Sequence, residues 1–398
     1  CPILSNIIQL SISELSGKQY STEMFKSHSK LSSIVSPYAL KMQKLYEKFK
    51  PTKQKINSTD TYVSKQNPYG PSTSLERFIK NYDYKKETFN VHTKRDSILR
   101  SELGKRLDID PERITFYKTE FDALKKIITT FVPKYSNICT LYPNSELMEL
   151  LSNEYKIELK YTIYTEDGKS LQPKFKHILN YITPKTKLIY LTSPDHTTGQ
   201  LLNKSNFDAF LKKLPENIMI LIDESYIDFV VPYTNKSKWN ALLNPITYLN
   251  KRIMILRSFS HFYGLENLEL AYIIADKDIS KLLKSGNIIQ NQLDHYTESI
   301  ARNCLKDTKN NKKIRNDIKN ERHRIYSLLD SYDIPYFPSQ VNYILIHPKK
   351  DLDEVKKELE EKGVILEESD LHYDNYYPFP ISTRDINDII IDVLSSKF

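Results

Sequence analysis

The sequence predicts an α/β protein, because apolar runs of strand length alternate with segments of helical periodicity. The helical segment 120–131 places apolar residues at helical spacing and so predicts one buried face. At 398 residues, of which 39% are hydrophobic, the chain can bury a core in two or more domains. The buried strands are predicted at residues 138–142, 187–192, 217–222, 253–256 and 271–275, and a long, basic helical segment is predicted at about 279–332.

Composition and charge exclude several classes of protein. No run of 18 apolar residues occurs, so we predict no membrane-spanning helix. The net charge of +8 is modest and spread along the chain, which predicts no nucleic-acid partner. The three cysteines, Cys1, Cys139 and Cys304, are too few for a disulfide framework and lack metal-ligand spacing, so no metal site is predicted.

Residues 1–62 are predicted to form an N-terminal arm and linker. Apolar residues recur at helical spacing from Ile3 to Leu15, and a second helical segment ends before Pro51. The first residue is Cys1 rather than Met, which is typical of a processed bacterial lipid-anchor site. If Cys1 is a natural terminus, we expect a lipoprotein attached to a membrane outside the cytoplasm. If it is a trimmed boundary, we expect a cytoplasmic protein.

Five motif segments carry a resemblance to a known family. They are NPYGPS from Asn67, SPDHTTGQ from Ser193, DESYIDF from Asp223, LRSFSHFYGLENLELAY from Leu256, and FPSQVNYILI from Phe337. In this order they resemble the fold type I pyridoxal-phosphate aminotransferases, most closely the histidinol-phosphate aminotransferase branch. The resemblance implies a large domain with a mostly parallel sheet at residues 63–290, a smaller α/β C-terminal domain at 291–398, and a homodimer.

Part of the family's cofactor pocket is present. The resemblance gives Asp223 the position that pairs with the cofactor's pyridine nitrogen and Tyr226 the position that bonds its ring oxygen. His196 replaces an asparagine that bonds the same oxygen, and an imidazole can still donate one hydrogen bond. Ser258 and Ser260 match the frame of the lysine motif.

Other positions differ in ways that change the chemistry. His261 stands where the family has the lysine that forms an imine with the cofactor, and an imidazole forms no such imine. Glu269 stands where an arginine holds the cofactor's phosphate. A carboxylate about 4 Å from one phosphate charge costs roughly 4 kcal/mol at an effective dielectric of about 20. That repulsion corresponds to about a thousandfold in affinity.

Three further positions differ. The phosphate loop, Lys118 to Phe121, lacks its glycine in a chain that has only 8 glycines. Ser145 aligns with the aromatic residue that stacks on the cofactor ring, with Tyr142 as the alternative. Pro378 aligns with the arginine that clamps the substrate carboxylate.

These losses affect one cofactor and one substrate, so we predict a pseudoenzyme with no catalytic residue and with pyridoxal phosphate lost as a cofactor. Its role is predicted to be binding or structure, as a component of an assembly whose protein partner the sequence does not name. The remnant cofactor pocket is predicted to consist of His196, Asp223, Tyr226, Ser258, Ser260, His261 and Glu269.

Two other functions stay open. One is an active pyridoxal-phosphate enzyme in which a lysine at another position replaces the missing one. The other is a different enzyme, in which His196, His261, Asp223 and Glu269 converge as a metal site or an acid-base set.

Overall fold

The computed structural model describes residues 60–82, 96–143, 145–231, 242–249, 252–265, 270–285, 293, 295–369 and 371–396. The part from Thr61 to Phe398 is one compact unit. The predicted helices of the N-terminal arm, together with Cys1, lie outside the described residues.

A seven-stranded sheet forms the centre of this unit, with strand order β2-β10-β9-β8-β7-β3-β4. Neighbouring strands are parallel from β9 to β4, and β10 runs antiparallel to both β2 and β9. The prediction of an α/β fold with a mostly parallel sheet is therefore confirmed. The strands are β2 Ile114–Tyr117, β3 Asn137–Leu141, β4 Glu158–Thr162, β7 Thr186–Thr192, β8 Met219–Asp223, β9 Ile253–Ser258 and β10 Ala271–Ile274.

Eleven α-helices lie among the described residues, and most of them alternate with the strands. The helix predicted at 120–131 has those bounds, because Thr119 caps its first turn by accepting a hydrogen bond from the backbone N-H of Asp122. The helices are α1 Thr73–Lys80, α2 Asp96–Leu107, α3 Glu120–Phe131, α4 Glu146–Tyr155, α5 Phe175–Tyr181, α6 Lys204–Leu211, α7 Lys277–Lys284, α8 His295–Lys306, α9 Thr308–Ser331, α10 Leu352–Glu361 and α11 Arg384–Ser395.

Both faces of the sheet are covered. Ile220 and Ile222 of β8 belong to one hydrophobic cluster, while Leu221 between them belongs to another. Since successive side chains of a strand point to opposite faces, the sheet has a core on each side. This burial explains why the central strands appear in the sequence as continuous apolar runs.

A second, antiparallel sheet lies in the C-terminal part, in the order β11-β12-β14. Its strands are β11 Tyr336–Phe337, β12 Tyr343–Ile346 and β14 Tyr377–Pro380. A separate parallel pair joins β1, Thr61–Val63, to β13, Val364–Leu366, and a hairpin joins β5, Tyr164–Asp167, to β6, Ser170–Pro173. The predicted domain division at residue 290 stays a prediction.

The segment 279–332, which the sequence predicts as one long helical stretch, is instead divided among α7, α8 and α9. Asp307 separates the last two helices, because its side chain accepts a hydrogen bond from the backbone N-H of Asn310 and so starts a new helix. None of the helices in the described part of the chain is long and apolar enough to cross a membrane.

Candidate active site

The candidate site lies where three neighbouring parallel strands end. His196 follows β7, Asp223 is the last residue of β8, and His261 follows β9. Carboxyl ends of parallel strands meet at one edge of a sheet, and ligands of α/β proteins bind outside that edge. The fold therefore brings together three residues of the predicted pocket that are far apart in sequence.

Asp223 is 2% exposed, and its carboxylate is held by hydroxyl and amide donors. Its Oδ1 accepts hydrogen bonds from the Ser225 backbone N-H at 2.9 Å and the Ser225 hydroxyl at 2.6 Å. Its Oδ2 accepts one from the Tyr190 hydroxyl at 2.8 Å. Burial and the Asp223 charge raise the pKa of Tyr190 well above its usual value, so the phenol keeps the proton that it donates.

His196 borders this carboxylate. Its Nε2 lies 3.7 Å from Asp223 Oδ1, is buried, and makes no hydrogen bond to any described residue. Burial lowers the pKa of His196 against the opposing pull of Asp223 and Asp195. A neutral imidazole with one unused buried nitrogen can donate to, or accept from, a ligand at this position.

His261 and Glu120 form an ion pair in the pocket. The distance from His261 Nε2 to Glu120 Oε1 is 3.2 Å, and both side chains are less than one-fifth exposed. Glu120 is the first residue of α3, and it also receives a hydrogen bond from the Ser258 side chain. The N-terminus of a helix favours negative charge, so α3 further stabilises this carboxylate.

The pair shifts the pKa of both partners. Burial opposes the imidazolium, but the charge of Glu120 and its hydrogen bond outweigh burial and raise the pKa of His261. Burial likewise opposes the carboxylate, but the charge of His261 and hydrogen bonds from His261 and Ser258 lower the pKa of Glu120 to about 2. The pair therefore favours the charged forms of both side chains, an imidazolium beside a carboxylate.

Tyr226 packs between the two histidines. Its ring is stacked on the ring of His261, with centroids 4.4 Å apart and an interplanar angle of 11°. It meets the ring of His196 edge-on at 5.2 Å and that of Tyr343 at 5.5 Å. These contacts fix the orientation of the imidazole that replaces the family's lysine.

The segment Lys65–Gln66 enters the same pocket, and the sequence did not single it out as functional. Gln66 Nε2 lies 3.0 Å from His261 Nδ1, and Lys65 Nζ donates a hydrogen bond to the His196 carbonyl at 3.2 Å. The one available signal was position, since both residues directly precede the NPYGPS motif. Glu120 lies in the predicted phosphate loop, Lys118 to Phe121, but the sequence did not predict its ion pair with His261.

The remaining predicted site residues differ in their placement. Ser258 is buried and its Oγ accepts a hydrogen bond from the Ser260 backbone N-H at 3.1 Å. Glu269 lies outside the described residues, so its predicted position against a phosphate is untested. No group of three or more His, Cys, Asp or Glu side chains in the described ranges is arranged to hold a metal ion.

The residues predicted to replace a stacking ring and a carboxylate clamp can also be placed. Ser145 lines a small open cleft beside His196. Tyr142 is 54% exposed and packs edge-on against Tyr161, away from that lining. Pro378 is buried in β14 opposite Leu345. The cleft thus has a hydroxyl where the resemblance implies an aromatic face.

This fold and this site define an aminotransferase-like protein, and comparison with known proteins agrees. The model of the family "Aminotransferase class I and II" matches residues 79–383, so the chain belongs to that family. Within it the chain is similar to the histidinol-phosphate aminotransferases. The enzyme of that name from Moorella thermoacetica is 24% identical over 345 residues, covering 83% of each chain. Its namesake from Brevibacillus brevis is 31% identical over 216 residues, covering 54% of this chain and 57% of the relative.

Solved structures show the same fold. Histidinol-phosphate aminotransferase from Sinorhizobium meliloti, described in complex with pyridoxal-5'-phosphate, superposes with a TM-score of 0.72 at 19% identity, covering 96% of this chain and 98% of that one. The enzyme of the same name from Clostridium acetobutylicum gives a TM-score of 0.69 at 19% identity, with 84% and 97% covered.

These comparisons correct the prediction that the chain has no cofactor. The family match, the named relatives and the neighbour in complex with pyridoxal-5'-phosphate together point to pyridoxal phosphate as the cofactor, so the prediction of its loss is wrong. That prediction rested on five replaced positions: those of the imine lysine, the phosphate-binding arginine, the phosphate-loop glycine, the stacking ring and the carboxylate clamp. The lysine is needed for the imine, whereas other groups also hold the ring.

The residues present fit the pyridine end of this cofactor. A buried Asp223 carboxylate can accept a proton from a pyridinium nitrogen, and His196 offers an unused buried nitrogen nearby. At the opposite end the fit is poorer, because the Glu120 carboxylate lies at the helix N-terminus where the resemblance places the phosphate. The site therefore keeps a buried carboxylate suited to a ring nitrogen and carries its own anion beside His261.

Proposed function

We propose that this chain is an enzyme of the aminotransferase family that holds a ligand of the vitamin B6 type by its pyridine ring. At the position that aligns with the family's lysine, the His261–Glu120 pair transfers the proton that the substrate gains or loses during the reaction. The observation that carries this proposal is the 3.2 Å contact between His261 Nε2 and Glu120 Oε1 in a pocket that keeps Asp223.

Each residue has a defined task in this proposal. The Asp223 carboxylate accepts a hydrogen bond from the ligand's ring nitrogen, while Ser225 and Tyr190 keep the carboxylate oriented. The Tyr226 ring holds the imidazole of His261 in place. A bound cofactor of this class acts as the electron sink for the substrate's α-carbon. The work of the protein is to bind, orient and move a proton at His261.

Glu120 determines the protonation state of the His261 imidazole before proton transfer. Because Glu120 raises the pKa of His261, the imidazole is protonated below that pKa and can act as a general acid. After giving up its proton it becomes a base held by the same carboxylate. A histidine oriented by a carboxylate is a common arrangement for general acid-base catalysis.

Gln66 provides a second support for proton transfer. Its Oε1 is buried without a hydrogen-bond partner among the described residues, while its Nε2 faces His261 Nδ1. Rotation of the amide by 180° would let Oε1 accept the Nδ1 proton of the imidazolium. The amide can therefore serve both protonation states of His261.

The names of the relatives suggest the first substrate to test. We infer amino-group transfer between histidinol phosphate and a 2-oxo acid as the first candidate reaction. The wild-type protein is supplied in turn with pyridoxal phosphate and pyridoxamine phosphate. Binding is measured by calorimetry and amino transfer by mass spectrometry of the products.

The variant His261→Gln is expected to bind pyridoxamine phosphate within about threefold of wild type while losing at least about a hundredfold in transfer rate. Asp223→Asn is expected to weaken binding of both cofactor forms. His177→Gln, on α5, is the matched control and leaves both quantities unchanged.

A protein that neither binds the cofactor nor transfers an amino group would support the alternative prediction of a pseudoenzyme. If wild type binds neither form and transfers no amino group to any tested acceptor, the proposal is wrong and the scaffold role is favoured. The homodimer, the protein partner and the attachment through Cys1 remain predictions, tested by light scattering, native pull-down and mass spectrometry of the mature N-terminus.

A further inference from the structure

The segment that carries Lys65 is fixed to the protein on both sides. The side-chain amide of Asn342, 0% exposed, donates hydrogen bonds to the backbone carbonyls of Lys65 at 2.8 Å and Gln66 at 3.0 Å. The Lys65 backbone N-H donates to Glu367 Oε2 at 3.2 Å. Just before it, β1 pairs with β13. The base of the Lys65 side chain is therefore well fixed.

The ammonium end of Lys65 lies in a pocket that is poor in solvent. The residue is 7% exposed, and its Nζ sits 4.6 Å from the centroid of the Tyr343 ring. The Nζ donates a hydrogen bond to a backbone carbonyl, that of His196. No carboxylate of the described residues lies within ion-pair distance of this amine, and burial then favours the neutral amine, which is the nucleophilic form.

The pocket around Lys65 is the candidate active site itself. His196, whose carbonyl accepts the Lys65 proton, lines the open cleft and places its ring against Tyr226. Tyr343, beneath the amine, meets Tyr226 edge-on, and Tyr226 stacks on His261. The amine is thus connected to the cleft through His196, and to His261 through the rings of Tyr343 and Tyr226.

We propose that Lys65 Nζ is the amine of this pocket and takes an aldehyde or ketone ligand as an imine. The neutral amine attacks the carbonyl carbon, a C–N bond forms, and the carbonyl oxygen leaves as water with the two amine protons. No oxidant or reductant is needed. This amine is supplied by the segment before the NPYGPS motif, whereas His261 keeps the proton-transfer task.

The ionisation of Lys65 is consistent with this role. Burial lowers the pKa of Lys65 to about 8, against the opposing charges of Glu367, Asp195 and Glu146. The other charged or titratable groups nearby are His196 and the Tyr343 phenol, whose pKa burial raises well above its usual value. A large fraction of the amine is therefore neutral near pH 8, and imine formation should increase with pH through this range.

Lys169 provides a matched comparison within the same chain. Its Nζ also lies over a tyrosine ring, 4.0 Å from the centroid of Tyr336, but its side chain is 60% exposed and faces Asp330 at 3.8 Å. An aromatic neighbour is therefore common to both lysines. Burial and the hydrogen bond to the carbonyl of His196, a residue that lines the cleft, distinguish Lys65.

The test uses pyridoxal 5'-phosphate and pyridoxal as aldehyde probes, each below one equivalent, followed by borohydride reduction and peptide mass mapping. In the wild-type protein, the Lys65 peptide is expected to carry at least tenfold more reduced adduct than the Lys169 peptide. The rate of labelling should rise with pH with a midpoint near the pKa of Lys65, about 8. Lys65→Arg should remove this adduct, and Lys169→Arg should leave it unchanged.

Two outcomes would overturn the proposal: adduct spread over exposed lysines with Lys65 unmodified, or equal incorporation by Lys65→Arg and wild type. Because the adduct is mapped on the wild-type protein, the proposal can be tested even if the Lys65→Arg variant misfolds. Pyridoxamine phosphate has no carbonyl, and its binding tests the proposed function separately. Failure at Lys65 and failure at His261 can thus be told apart.

Discussion

The ring of Tyr226 lies nearly parallel to the ring of His261, with 4.4 Å between their centroids. This stack places the tyrosine of the DESYIDF motif directly on the histidine that, by the resemblance, aligns with the family's lysine. Glu120 holds the same imidazole from the helix side. The orientation of His261 therefore depends on Tyr226, which is a family residue, and on Glu120, whose contribution the motif does not reveal.

Glu120→Gln is expected to lower the pKa of His261, because it removes the carboxylate charge that opposes desolvation of the imidazolium. The same change should strengthen binding of pyridoxal phosphate relative to unphosphorylated pyridoxal by about tenfold or more, since a negative charge leaves the phosphate end. NMR titration of the histidine ring and calorimetry with both ligands measure these effects. Equal gains for both ligands would show that Glu120 does not face the phosphate.

Acid should remove the stabilisation that the His261–Glu120 pair supplies through the carboxylate. The pKa of Glu120 is lowered from 4.5 to about 2, so its contribution is present above pH 4.5 and is lost as pH falls toward 2. We expect a loss of about 1 to 3 kcal/mol in the free energy of unfolding relative to Glu120→Gln over that range. Urea titrations of both proteins measure the free energy of unfolding at each pH. If this free energy depended on pH in the same way in both proteins, the prediction would be contradicted.

Alkali should affect the same pair through the imidazole. The pKa of His261 is raised, so its contribution is fully present below the unfolded value of 6.5 and is lost as pH rises through the folded value. The proposed general-acid activity should decline over the same interval. The pH profile of the transfer rate, compared between wild type and Glu120→Gln, measures this decline, and a profile unchanged by the substitution would exclude His261 as the titrating acid.

Lys65→Met is expected to raise the free energy of unfolding at pH 7 by about 3 kcal/mol at most, because the wild-type chain carries a buried ammonium group whose pKa is lowered. Between pH 8 and 10.5 the unfolded chain binds more protons at this site, so wild-type stability should rise relative to the variant. Denaturant titrations across this range test the sign. A variant less stable than wild type at pH 7 would mean that the contact with Tyr343 outweighs burial.

Gly264 lies where two motif segments meet. Its φ is +68°, and an added Cβ would lie 2.7 Å from the carbonyl carbon of Gly70. We expect Gly264→Ala to destabilise the protein by about 2 to 4 kcal/mol, through backbone strain and displacement of the NPYGPS segment. Gly168→Ala is the matched control, because its φ is +56° with open space around it, and it should cost about 1 kcal/mol. An equal loss of stability in the two variants would show that the close approach of Gly264 to Gly70 does not contribute.

The family and the fold follow from sequence because they depend on local, repeated signals. The strands at 187–192 and 253–256 were recognisable as apolar runs, since a sheet covered on both faces needs apolar residues at consecutive positions. The helix at 120–131 was predictable to the residue from its apolar face and its Thr119 cap. The division of 279–332 into three helices was missed, because the Asp307 cap lies within a segment of continuous helical composition.

The sequence by itself determined the family and the mostly parallel sheet, and it predicts that His261 replaces the imine lysine. Only the tertiary structure decided what surrounds that histidine. Glu120 and Lys65 reach the pocket from segments remote in sequence, and no local pattern encodes such contacts. They arise because the carboxyl ends of parallel strands, a helix N-terminus and the segment before NPYGPS meet at one edge of the sheet, where burial makes each charge depend on its neighbours.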